Sequence, residues 1–102
     1  MADAYVALLL VHLHFPEAGS LKSKRKDLSS LKAQLQGRMG VAVAEVEHQD
    51  LWQRATLAAS LTGGSATRLE QVVDDVERFL LARFPETCRV ERTLRSYDEV
   101  WG

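Results

Sequence analysis

Asparagine and isoleucine are absent from this chain, and cysteine, proline and aromatic residues are scarce. The single cysteine, Cys88, excludes an internal disulfide and a paired CxxC redox or metal motif. It points to a reducing compartment. The lack of Asn, with nine Arg to four Lys, suits a thermophile, because Asn is thermolabile; a high-GC genome gives the same bias. No apolar run approaches the roughly 20 residues of a membrane span. The opening MADAYVALLLVHLHF has an apolar stretch, but it lacks a basic leader and contains His12 and His14, so it reads as a strand rather than a signal. A cytoplasmic protein without membrane contact is expected.

A large net charge is also missing. Net charge is −1 over 102 residues, so any anion-binding surface must come from local clustering. No GxxxxGK[ST] loop, GxSxG elbow or RNP1 pattern is present. These absences argue against a Walker-type nucleotidase, an α/β-hydrolase and an RNA-recognition-motif protein. No zinc-ligand spacing occurs, and neither a metal nor a cofactor is expected.

What is present alternates in a regular order. Tyr5 to Phe15 has strand periodicity, with Tyr5, Ala7, Leu9, Val11, Leu13 and Phe15 on one face. After the loop PEAGS, Leu21, Leu28, Leu31, Leu35 and Met39 recur at helical spacing, and Gly37 and Gly40 mark the helix end. Val41 to Glu47 reads as a strand, HQD as a turn, and Arg54 to Thr62 as another strand. Gly63 to Ser65 breaks the chain. Ser65 can cap a second helix, with Thr67 and Glu70 offering a competing capping box. Leu69, Val72, Val73, Val76, Phe79 and Leu80 form its apolar stripe, Pro85 stops it, and a last strand runs from Cys88 to Leu94, extending toward Val100. The order β-α-β-β-α-β over residues 1–102 predicts one ferredoxin-like α+β domain. Its split sandwich has one four-stranded antiparallel sheet with both helices on one face. Right-handed crossovers put the first and third strands in the centre.

Two stretches carry candidate chemistry. In SLKSKRKDL, Lys22, Lys24, Arg25 and Lys26 crowd the start of the first helix, where the backbone is already positive and each cation costs about 0.3–1 kcal/mol. Lys22, Arg25 and Lys26 fall on the polar side. Lys24 falls on the apolar stripe, with its stem over the core and its ammonium expected to reach out past the helix end. Glu17 and Asp27 are placed to offset part of the charge. The stretch reads either as a solvated face or as an anion site built from cations and free amides. In EVEHQDLWQRA, Glu45, Glu47, His48, Asp50, Trp52 and Arg54 concentrate around a turn. Asp50 can shape that turn, Trp52 serves packing or stacking, and Arg54 falls on the sheet face opposite the helices.

By alternation that open face also shows His12, His14, Thr56, Ser60, Arg89, Glu91, Thr93 and Arg95, with Val6, Leu8 and Leu10 at an apolar end. It lacks the aromatic platform of RNA-binding sheets. Burial against a second subunit explains the apolar end, so a homodimer is expected. Cys88, beside Val90 on the core face, reads as inert. An acylphosphatase shares this strand order but normally uses an Asn, which the chain lacks.

SLKSKR after a strand ending HFP, followed by VAVAEVEHQDLWQRA, resembles the YlxP-like family of small bacterial proteins over nearly the whole chain. The family motif falls on Ser20, Leu21, Lys22, Lys24 and Arg25. It falls also on Ala44, Glu45, Val46, Gln49, Asp50, Leu51, Trp52, Gln53, Arg54 and Ala55. His12 departs from it, standing where an acidic or other polar residue is expected. The resemblance implies a ferredoxin-like fold of unassigned function, with genes among those for translation initiation, ribosome maturation and tRNA modification. It transfers no catalytic residue.

The first expectation is therefore a non-enzymatic RNA- or ribosome-associated protein. Lys22, Lys24, Arg25, Lys26 and Arg54 would meet phosphates, with Gln49, Asp50, Trp52 and Gln53 as further contacts. The second is a dimeric protein-interaction or small-ligand module without nucleic-acid contact. The third is an enzyme acting on a phosphorylated small molecule.

Overall fold

Along the first strand every second side chain is buried: Ala7, Leu9, Val11 and Leu13 face the core, while Leu8 and Leu10 face outward. The structure, a computed structural model, describes residues 3–16 and 18–101. Its elements are β1 (Tyr5–His14), α1 (Leu21–Met39), β2 (Ala42–Glu47), β3 (Arg54–Gly63), α2 (Ala66–Arg83), β4 (Cys88–Ser96) and α3 (Tyr97–Trp101). The sheet order is β2-β3-β1-β4, with every pair antiparallel. The first and third strands are central, as right-handed crossovers require.

The core fills the space between the sheet and the two long helices. Leu28, Leu31 and Leu35 of α1 and Leu69, Val73, Val76 and Leu80 of α2 meet Leu9, Val11, Leu57 and Ala59 of the sheet. Each such leucine or valine stabilises the fold by about 1.5–3 kcal/mol through apolar burial. Arg83 of α2 donates to the side-chain oxygen of Gln34 on α1, and Arg92 of β4 pairs with Asp74 of α2 at 2.6 Å. These polar ties close the helix layer at its rim.

Both helices start on serine. Ser20 Oγ accepts from the Ser23 amide at 3.1 Å, and Ser65 Oγ accepts from the Arg68 amide at 3.3 Å. Ser65, not the Thr67–Glu70 alternative, is the cap of α2. Gly40 ends α1 in the left-handed region at φ 66°, which a residue without Cβ adopts without strain. Gly37 lies inside the helix rather than at its end.

One element differs from expectation. The last strand stops at Ser96 instead of running toward Val100, and Tyr97–Trp101 turns into α3. Ser96 and Glu99 account for the turn. The Ser96 amide donates to Glu99 Oε1 at 2.9 Å, and the Glu99 amide donates to Ser96 Oγ at 3.2 Å. This reciprocal capping box nucleates a helix where alternation alone extends the strand.

Candidate nucleic-acid interface

Lys24, Leu28, Leu31 and Leu35 are the buried residues of α1, one stripe at helical spacing with a lysine at its upper end. Lys24 is only 1% exposed. Its Nζ donates to the carbonyl oxygens of His48 at 2.6 Å and Leu51 at 2.5 Å. It also lies 3.3 Å from Glu45 Oε2. That third contact is electrostatic rather than a directed bond, since Glu45 Oε2 has no aligned hydrogen-bond donor among the described residues. A buried ammonium requires this kind of saturation, because a missing acceptor would leave its desolvation uncompensated.

The loop that receives Lys24 is itself shaped for the purpose. A β-bulge between Glu45 and Glu47 ends regular pairing of β2 with β3, and it turns the strand end. His48 follows at φ 64°, a left-handed geometry rarely adopted by a residue bearing a Cβ. The Leu51 amide closes a turn onto the His48 carbonyl at 3.1 Å, and the Phe15 amide donates to the Gln53 carbonyl at 2.7 Å. Gln49 Nε2 reaches back to the Glu45 carbonyl at 3.2 Å. Residues 48–53 are thus tied to α1 on one side and to the end of β1 on the other.

The two motifs meet in space, and Lys24 is where they meet. The expectation that Lys24 points outward to a phosphate is therefore corrected: its amine faces inward and serves the chain's own carbonyls. Sequence reading put it on the apolar stripe but missed its acceptors, which are backbone atoms of a loop about 25 residues away. The other three cations differ. Lys22, Arg25 and Lys26 are exposed and form no ion pair among the described residues. Asp27 is exposed and does not neutralise them, and Glu17 lies outside the described residues. Ser20 already occupies the Ser23 amide, so an anion here would be held by side chains more than by the helix backbone. On the braced loop, Asp50 and Leu51 are exposed and Trp52 is 50% exposed. Arg54 is exposed at the start of β3, opposite His14.

The open sheet face has a separate polar cluster. His12 Nε2 is 2.8 Å from Glu91 Oε2, and His12 Nδ1 is 3.5 Å from Thr56 Oγ1. The hydrogen bond from His12 and then the nearby Arg89 hold the Glu91 carboxyl below its ordinary value. The order hydroxyl, imidazole, carboxylate is that of a nucleophile relay, yet Thr56 is buried and offers no accessible oxygen. Burial first, and Glu77 second, push the Cys88 thiol up to about 11, far from a reactive thiolate. Among the described residues no group of three or more His, Cys, Asp or Glu could hold a metal ion. Among the described residues no helix is long and apolar enough to cross a membrane.

The sequence model of the family described as "Protein of unknown function (DUF503)" matches residues 6–93. The chain belongs to the DUF503 family. The match spans both motifs, and so takes in every partner of Lys24. "Uncharacterized protein YlxP" of Bacillus subtilis is 33% identical over 78 residues, covering 76% of this chain and 80% of that protein. The YlxP-like resemblance read from the motifs is thereby established. Among solved structures, the de novo designed protein Foldit4 superposes on this DUF503 fold with a TM-score of 0.63 at 12% identity, over 91% of this chain and 97% of that one. The 30S ribosomal protein S6 of Thermotoga maritima superposes with a TM-score of 0.52 at 11% identity, over 95% and 92%. At such identities the likeness is one of fold: the ferredoxin-like sandwich.

Proposed function

We propose that this DUF503 protein is a non-enzymatic RNA-binding protein that acts on ribosomal RNA or a ribosome-associated partner during translation or ribosome maturation. One observation carries the reading. Lys22, Arg25 and Lys26 are outward and without acidic partners among the described residues, on the helix whose Lys24 braces the loop that leaves Trp52 half-exposed. Three cations at a helix start weaken the helix, and phosphates relieve that penalty. Exposed cations and an exposed indole on one braced unit are the ingredients of a single-stranded nucleic-acid site, where the ring stacks on a base for about 1–3 kcal/mol. Arg54 closes the same loop on the sheet face opposite the helices, apart from these three phosphate contacts.

The non-enzymatic reading has separate support. The buried Thr56 hydroxyl, the raised Cys88 thiol and the His12–Glu91 pair supply no nucleophile open to a substrate. The gene neighbourhood implied for YlxP-like proteins agrees with a translation role, while the fold shared with ribosomal protein S6 by itself assigns none.

Fluorescence anisotropy with total RNA and with purified ribosomal subunits tests the proposal. Affinity should fall with salt at a log–log slope of about −2, as three single-strand phosphate contacts require. Affinity indifferent to salt, or no binding to either, overturns it.

A further inference from the structure

The sheet face opposite the helices carries a relief that complements itself. Cross-strand rows run straight across it. In one row Glu91, Leu10, Ala58 and Ala44 lie side by side across β4, β1, β3 and β2; in the next lie Thr93, Leu8, Ser60 and Ala42. Leu8 is 46% exposed and Leu10 37%, so β1 raises an apolar ridge. Beside it the small residues of β3 and β2 leave a hollow of about 220 Å³, lined by Leu8, Ala42, Ala44, Ala58 and Ser60. We infer that this face docks a second copy of the chain, sheet against sheet, about a two-fold axis parallel to the strands.

That axis exchanges β1 with β3 and β4 with β2. Leu10 then meets the partner's Ala58 and Leu8 meets the partner's Ser60, ridge into hollow, twice by symmetry. The charges agree. A third row holds Arg89, His12, Thr56 and Glu47 across β4, β1, β3 and β2. The same rotation sets Arg89 on one edge against the partner's Glu47 on the other. Both side chains are exposed; their contacts within the chain are loose, at 3.6 Å from Arg89 to Glu91 and 3.7 Å from Glu47 to His48. An aligned packing of two twisted sheets about 10 Å apart accommodates these pairings.

The area suffices. Strands of these lengths present about 600 Å² in projection at ordinary strand spacing, against the roughly 800 Å² per partner of a stable interface. The apolar surface continues past the sheet end. Val6 and Thr62 line a groove of about 470 Å³ with Tyr97, Val100 and Trp101 of α3, and Trp101 is 76% exposed. Lys22, Arg25 and Lys26 are on the helix side of the sheet, so this interface leaves them outward. Its failure would leave the RNA-binding proposal standing, and the reverse is also true.

Sedimentation equilibrium across micromolar concentrations tests the inference, with circular dichroism as the check on folding. The wild-type chain should dimerise and Leu10→Arg should be a folded monomer. Arg89→Glu should weaken the dimer about tenfold, by placing two carboxylates together, and Arg89→Glu with Glu47→Arg should recover it to within about threefold. A monomeric wild type overturns the inference. So does a dimer untouched by Leu10→Arg, which would mark edge-to-edge pairing, or a charge exchange that restores nothing.

Discussion

Lys24 Nζ lies 2.5 Å from the carbonyl oxygen of Leu51, so an amine from the first turns of α1 ends inside the loop between β2 and β3. The same amine takes the His48 carbonyl and stands 3.3 Å from Glu45. One side chain thereby removes a cation from the basic cluster and fixes the loop that carries Trp52.

Lys24→Met keeps the apolar stem and deletes the amine. The His48 and Leu51 carbonyls lose a donor, and the Glu45 carboxylate loses its counter-charge. Breaking a buried, hydrogen-bonded charge in this way destabilises by about 2–4 kcal/mol. Urea unfolding should show the midpoint falling with the slope retained; a shift below about 0.5 kcal/mol would mean that the amine is not anchored.

Lys22→Glu should do the opposite. No acidic residue lies in the first turn of α1, and the substitution puts one where the helix dipole favours it. Stability should rise by about 0.3–1 kcal/mol, read as an upward shift in thermal midpoint, while RNA affinity falls. A variant that gains stability and also keeps its affinity would show that position 22 is an ordinary solvated one.

Cys88 should react slowly with a disulfide reagent. With the thiol at about 11 instead of the ordinary 9.0, the thiolate fraction near pH 8 is about one in a thousand rather than about one in ten. Labelling of the folded protein should therefore be about a hundredfold slower than in urea. Equal rates in the two conditions would show that the thiol is solvated.

Helix α3 should loosen in acid. Bonds to the Ser96 amide and then the Ser96 hydroxyl hold the Glu99 carboxyl below its ordinary 4.5. The folded value is the lower one, so the stabilisation is in place above pH 4.5 and is lost as pH falls through the folded value. In a Trp52→Phe background, Trp101 fluorescence should change over that acidic range, and Glu99→Gln should abolish the transition. A signal flat through acid pH, with far-UV dichroism unchanged, would show that the capping box does not hold α3.

The framework of this fold was legible because period-2 and period-3.6 patterns do not overlap in the chain. Ala7, Leu9, Val11 and Leu13 can only be a one-faced strand, and Leu28, Leu31 and Leu35 only a helix stripe. Alternation failed at Ser96, where a local capping box of the S-x-x-E type outweighs a strand pattern running on toward Val100. That signal was in the sequence and marked the turn. The site was half legible. The unusual charge of SLKSKR and the crowding of EVEHQDLWQ both stand out, but their meeting depends on Lys24 bonding to backbone carbonyls. Carbonyls belong to every residue and leave no trace in side-chain identity. The left-handed His48 and the bulge before it are likewise products of tertiary tethering, with no glycine to announce them.

The most direct test compares the salt dependence of RNA binding in two variants. Lys22→Gln combined with Arg25→Gln and Lys26→Gln should flatten the log–log slope from about −2 to near zero with the thermal midpoint kept or raised. Lys24→Met should retain the wild-type slope while losing stability. The account is contradicted if the triple variant binds with an unchanged slope, or if Lys24→Met alone flattens it.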